Sequence, residues 1–176
     1  MKKFKMICLL TVATVATVAL SACTIKKPPQ NIDIQADGSF DPKNIYINVE
    51  SSLPKNAKLE ILFKDDDRNK VIYKTSIKTD EKGTANKKIP LDVGDKNLTG
   101  LLIYKPDKQP KKIQDKFGKY GENIRSTTMG YTVGKKNNQN YMFIKQYGTF
   151  WKFGKLDSQG RIIYSKEKIK LEKEGK

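Results

Sequence analysis

The chain has 176 residues, 35 basic and 19 acidic side chains and a formal charge of +16, but no histidine and only two cysteines. The lack of histidine removes Ser-His and Cys-His catalytic triads and histidine zinc sites. Lysine supplies nearly all the positive charge, with Arg68, Arg125 and Arg161 the only arginines. As a hydrated point charge it does not read bases or phosphates bidentately, so nucleic acid is not an expected partner.

At the N-terminus, Lys2, Lys3 and Lys5 precede an uncharged run of 15 residues, 6–20. That run is shorter than the roughly 20 apolar residues a membrane-spanning helix needs, and small residues follow it. The tetrad Leu20-Ser21-Ala22-Cys23 resembles the lipobox of bacterial lipoproteins at each position. The resemblance implies that the Cys23 thiol carries diacylglycerol and that the chain is cut just before it. It also implies an anchor in the cell membrane, on the extracytoplasmic face of a Gram-positive-like envelope. The other cysteine, Cys8, lies in the segment to be removed, leaving the mature chain no thiol for a disulfide, redox couple or metal site. The expected organisation is a signal peptide at 1–22, a lipidated tether at 23–30, one domain at 31–171 and a frayed tail at 172–176. Residues 23–176, 154 in all, are enough for one domain with its own core.

Removing the three lysines of the signal leaves 32 basic against 19 acidic residues, a formal +13. Such a surface keeps a domain soluble, and it also attracts anionic headgroups or anionic wall polymers. Pro28-Pro29 stiffens the tether. Apolar residues then alternate with polar ones at Ile32 and Ile34, at Ile45, Ile47 and Val49, at Leu59, Ile61 and Phe63, and at Val71, Tyr73 and Ile77. This period of two predicts strands with one buried face. Asp65-Asp66-Asp67-Arg68-Asn69 reads as a hairpin tip. Asp65, Asp67 and Asn69 match the start of a calcium loop, but Lys70 and Ser76 stand where that loop needs glycine and glutamate. No metal and no cofactor are therefore expected.

Gly83-Thr84 and Ile89-Pro90 mark turns, and residues 97–104 supply a further strand. Pro110, the Ile113–Phe117 spacing of four and Gly118 predict one short helix near 110–118. Gly118-x-x-Gly121 is too sparse for a phosphate cradle and reads as the helix exit. Strand signals return at 127–133, 141–146, 149–153 and 161–165, with a polar flexible loop expected at 134–140 and a turn at 157–160. Two Ser-x-x-Lys spacings, Ser52/Lys55 and Ser165/Lys168, are what about 1.5 chance matches would give in so lysine-rich a chain.

Seven to ten short strands with a single helix predict an all-β sandwich. Residues 40–124 resemble, loosely, the immunoglobulin-like domains of bacterial surface lipoproteins, through Val49-Glu-Ser-Ser-Leu-Pro54, Gly83-Thr84 and Ile89-Pro90. That resemblance implies an immunoglobulin-like β-sandwich and no activity. Aromatics gather late in the chain, at Tyr131, Tyr141, Phe143, Tyr147, Phe150, Trp151 and Phe153, flanked by Lys145 and Lys152. Two readings of this cluster stay open, core and binding surface; in the core reading alternation buries Phe143 and Trp151 and exposes some of their neighbours. Tyr147, Phe150, Trp151 and Lys152, with Lys111 and Lys112, form the candidate binding surface, for an anionic envelope polymer or another envelope protein. No catalytic residue is expected. The rival reading is a carboxylate-based glycan hydrolase drawing on Asp65–Asp67, Glu122 or Asp157. A third is an accessory lipoprotein of an exported machine serving germination, conjugation or phage exclusion.

Overall fold

The computed structural model describes residues 28–94, 96–152 and 159–168. The lipobox residues Leu20, Ser21, Ala22 and Cys23, the Lys26-Lys27 pair, Phe153, Asp157 and the tail from 169 lie outside them. Among the described residues the chain is all-β with one short helix. Nine strands run β1 (Ile34–Phe40), β2 (Asn44–Ser51), β3 (Lys58–Asp65), β4 (Lys70–Lys78), β5 (Ala85–Pro90), β6 (Leu98–Tyr104), β7 (Tyr131–Lys136), β8 (Gln139–Lys152) and β9 (Gly160–Ser165). Helix α1 (Lys111–Phe117) sits between β6 and β7.

Every strand pairing is antiparallel, in the order β4-β3-β6-β8-β9-β1-β2-β5, with β7 added on β8. The two layers of the sandwich are thus halves of one continuous sheet. Its outer strands approach each other, and Lys87 Nζ on β5 donates to the Ser76 carbonyl on β4 at 3.2 Å. The result is a nearly closed barrel. Inside it, Ile45, Ile47, Val49, Leu59, Ile61 and Phe63 are at most 1% exposed, as their alternation requires. Phe150 joins the layers, its ring centroid 5.4 Å from Phe40 on β1 and 5.9 Å from Phe63 on β3. In α1, Ile113 and Phe117 turn inward and Gly118 ends the helix at φ 85°.

Four local expectations change. Residues 141–146 and 149–152 are not separate strands: both belong to β8, whose length lets it pair with β6, β7 and β9. Only Asn137 and Asn138 of the expected 134–140 loop form a turn, with φ 50° and 61°, the left-handed pair that a two-residue hairpin takes. Ile89-Pro90 closes the outer strand β5, where proline's missing N–H is tolerated. Thr128 N–H to Arg125 and Tyr131 N–H to Thr128 make turns of 125–131, so that strand starts at Tyr131 rather than Thr127.

Candidate functional site

The phase of β8 decides which aromatics reach the surface. Ile144, Gln146, Gly148 and Phe150 face the core, which leaves Phe143, Lys145, Tyr147 and Trp151 on the outer side. Phe150 is therefore a core residue at 6% exposure and not part of a binding surface. Phe143 and Trp151, placed inside by the core reading, are half-buried and 40% exposed respectively. The phase is held by Gln146, whose Nε2 donates to the Ile34 carbonyl at 2.9 Å. A Cβ on Gly148 would lie 2.9 Å from the Tyr164 ring, so only glycine lets that ring cross the strand here.

Outward side chains on neighbouring strands line up through the register. Leu62 on β3 stands opposite Leu101 on β6, Leu101 opposite Tyr147, and Tyr147 opposite Ser165. One step along, Thr99, Thr149 and Ile163 form the next row, and Trp151 faces Arg161 beyond it. Ile163 is 46% exposed. Lys145 Nζ lies 4.6 Å from the Tyr147 ring centroid, within cation–π range. This outer face thus combines aromatic rings, aliphatic side chains and adjacent cations. Its carboxylates are engaged: Glu60 accepts from Lys74 at 2.6 Å and from Lys105, and Asp66 accepts from Lys168 at 2.7 Å and from Thr99. Burial pushes the Glu60 carboxyl up, and the Lys105 and Lys74 hydrogen bonds outweigh it and hold it below its ordinary value.

The remaining expected surface residues lie elsewhere. Lys152 is half-buried and donates to the Gly94 carbonyl at 3.2 Å. Lys111 and Lys112 are exposed on α1, with Lys111 paired to Asp115. The sequence reading also missed a small network. Asp107, in the short turn Pro106–Lys108, accepts from Lys136 Nζ and from the Tyr141 hydroxyl. It pins the β7–β8 hairpin beside α1. Burial raises the Asp107 carboxyl, but the Lys136 and Tyr141 bonds hold it below the usual carboxylate range; Tyr141 is shifted up by burial and by that same carboxylate. The partners lie 29 and 34 residues from Asp107, so no local motif marks them.

Of the carboxylates proposed for glycan hydrolysis, Asp157 lies outside the described residues, Asp65–Asp67 sit together at the β3–β4 turn, and Glu122 lies beyond α1. Asp65 Oδ1 accepts the Arg68 N–H at 3.1 Å, Asp67 accepts from Asn97 at 2.9 Å, and Glu122 caps the Tyr120 N–H at 2.8 Å. In the Ser-x-x-Lys spacings the partners turn away: Lys55 pairs with Glu81 at 2.7 Å and Lys168 with Asp66. Residues 126–132 with Lys166 and Glu167 line an open polar groove of ≈ 480 Å³ where β9 ends and β7 begins. Among the described residues there is no cluster of three or more histidine, cysteine or acidic side chains able to hold a metal, and no helix long and apolar enough to cross a membrane. No family model, no curated protein and no solved structure matches the chain.

Proposed function

We propose that this chain is a lipid-anchored, non-catalytic binding module of the bacterial envelope, held at Cys23 to the extracytoplasmic face of the cell membrane. Its occupant is an anionic envelope polymer, taken on the outer sheet face. The observation that carries the reading is the arrangement of Tyr147 and Trp151 on that face with Lys145 and Arg161 at their sides. Flat rings offer stacking area at little entropic cost, and neighbouring cations favour a negatively charged ligand. The lipobox tetrad supports the anchor, and the absence of histidine together with the internally bonded carboxylates supports a non-catalytic role.

Two experiments test the two halves. Cys23→Ala should abolish incorporation of a fatty-acid analogue, and label persisting on that variant would sink the lipobox assignment. Retention on immobilised anionic wall polymer should fall at least about tenfold in Tyr147→Ala/Trp151→Ala, as loss of two hot-spot aromatics predicts. Unchanged retention would remove the outer face as the binding site.

A further inference from the structure

The tether is shorter than the sequence suggests, because the domain grips the chain almost as soon as the described residues begin. Gln30 N–H donates to the Asn123 carbonyl at 2.8 Å, Arg125 N–H donates to the Gln30 carbonyl at 2.9 Å, and the Arg125 guanidinium reaches the Pro29 carbonyl at 3.4 Å. Asn123 in turn bonds back to the Lys116 and Phe117 carbonyls. Pro29 therefore leaves the domain beside the C-terminal end of α1. Cys23 to Pro29 is six residues, at most about 21 Å of extended chain. The C-terminal end of α1, beside Pro29, is therefore held within about that distance of the anchor point.

What surrounds α1 is basic. Residues 105–145 hold ten basic and three acidic side chains, a net +7 over that stretch. Lys112 and Lys116 are four apart on one side of α1, with Lys119 just past it, and all three are exposed. None of them forms an ion pair among the described residues. The other end of the barrel carries Asp41, Asp65, Asp66, Asp67 and Asp92 in or beside its turns. The β4–β5 turn at the α1 end holds Asp80 and Glu81 as well, Glu81 paired to Lys55, so the contrast between the two ends lies in the unpaired lysines of α1 and not in a lack of acids there.

We infer that the α1 end, through Lys112, Lys116, Lys119 and Arg125, seats on the anionic lipid headgroups of the membrane that holds the anchor. The inference rests on the lipid-anchor reading and adds an orientation to it. A short tether keeps these cations close to the headgroups, where the screening length is roughly 8 Å at 0.15 M salt, and a cluster of four basic groups is the kind that anionic lipid attracts. The seat turns the acidic loops of the other end and Trp151 away from the bilayer: Tyr120 bonds Met142 through its carbonyl, and Met142 to Trp151 is about 30 Å along β8.

Trp151 is the only tryptophan, so the orientation can be read by fluorescence in the full-length lipidated protein. Two forms are compared in vesicles carrying a nitroxide-headgroup lipid: the native chain and Trp151→Phe/Tyr120→Trp. With about a third of the lipid phosphatidylglycerol, the tryptophan at position 120 should be strongly quenched and Trp151 should not. That quenching should fall to the level seen in phosphatidylcholine vesicles when salt is raised, or when Lys112, Lys116 and Lys119 are all changed to glutamine. Flotation of the same samples reads the anchor separately. Protein that floats with both vesicle types but is quenched equally at 120 in each overturns the seat and leaves the anchor standing. So does stronger quenching of Trp151 than of position 120. If soluble wall polymer binds the chain, and the triple glutamine variant loses that binding with no change in quenching, the lysines serve polymer and the seat is refuted. Protein that floats with neither vesicle type overturns the anchor and the seat together.

Discussion

Phe150→Ala and Trp151→Ala remove adjacent aromatic side chains from one strand, and their stability costs should differ several-fold. Phe150 is 6% exposed and packs against both Phe40 and Phe63, the contact through which the two halves of the sheet meet. Truncating a buried phenylalanine costs about 3–5 kcal/mol, the larger values where the surroundings cannot collapse into the space. Here β8 is hydrogen-bonded to β6 on one side and β9 on the other, so the strand cannot shift inward without breaking two ladders. The upper half of the range is expected. At about 4 °C per kcal/mol for a domain of this size, the melting temperature should fall by roughly 16–20 °C. Trp151, 40% exposed on the outer face, should cost under about 1 kcal/mol. Residues 28–176, which retain the Pro29 and Gln30 contacts, can be unfolded in urea and followed by far-ultraviolet circular dichroism, since the tryptophan itself is being removed. An unchanged m-value with a lowered midpoint identifies a loss of stability. Similar costs for the two variants, or a larger cost for Trp151→Ala, would refute the assigned phase of β8.

Other variants test the network and the close contacts. Asp107→Asn removes the charge that Lys136 and the Tyr141 hydroxyl bind and should cost about 1–2 kcal/mol at pH 7. Because the Asp107 carboxyl is held below its unfolded value of about 3.9, its contribution is complete above that pH and lost as pH falls through the folded value. Stability profiles of native and variant protein should therefore converge on acidification, and curves that stay parallel to pH 2 would contradict the pairing. Gly160→Ala places a Cβ 1.9 Å from the Trp151 carbonyl oxygen and 2.6 Å from the Phe40 ring, so a loss of about 1–3 kcal/mol is expected in thermal melts. A neutral result would mean that β9 does not lie in the register pairing Lys152 with Gly160. Asn138→Gly should raise stability by about 0.5 kcal/mol, because glycine takes φ 61° without strain, and a destabilised variant would argue against the two-residue turn.

Where burial has a simple period, local sequence was enough. Ile45, Ile47 and Val49, and likewise Leu59, Ile61 and Phe63, alternate against polar neighbours and all end in the core. The helix was equally legible, since Pro110 and Gly118 bracket it and Ile113 and Phe117 are spaced to share one face. Residues 141–152 were not, because both phases of that stretch carry large apolar groups: Ile144 and Phe150 in one, Phe143, Tyr147 and Trp151 in the other. Local hydrophobicity is nearly balanced between them. The choice falls to distant partners, the Ile34 carbonyl that takes Gln146 and the Tyr164 ring that needs Gly148 bare. The Asp107 network was hidden for the same reason, its acceptor and donors lying 29 and 34 residues apart.

This division of β8 bears on how binding data from the chain can be read. Phe150 holds the core while its neighbour Trp151 meets solvent, so the residues that fold the strand and those that would recognise a ligand alternate along it. Large outward side chains such as Tyr147 and Trp151 can then be exchanged at little cost to stability. A loss of polymer binding in Tyr147→Ala/Trp151→Ala that comes with native-like melting is accordingly a statement about recognition. The same loss in Phe150→Ala is not, because the outer face is only as well ordered as the core beneath it. Lysine is different again. Changes at Lys112, Lys116 and Lys119 act at the far end of the barrel, about 30 Å along β8 from Trp151. At physiological salt, charges so far apart are screened from each other over a length of about 8 Å. Variants at the two ends should therefore combine additively, and strong coupling between them would mean that one ligand spans both surfaces.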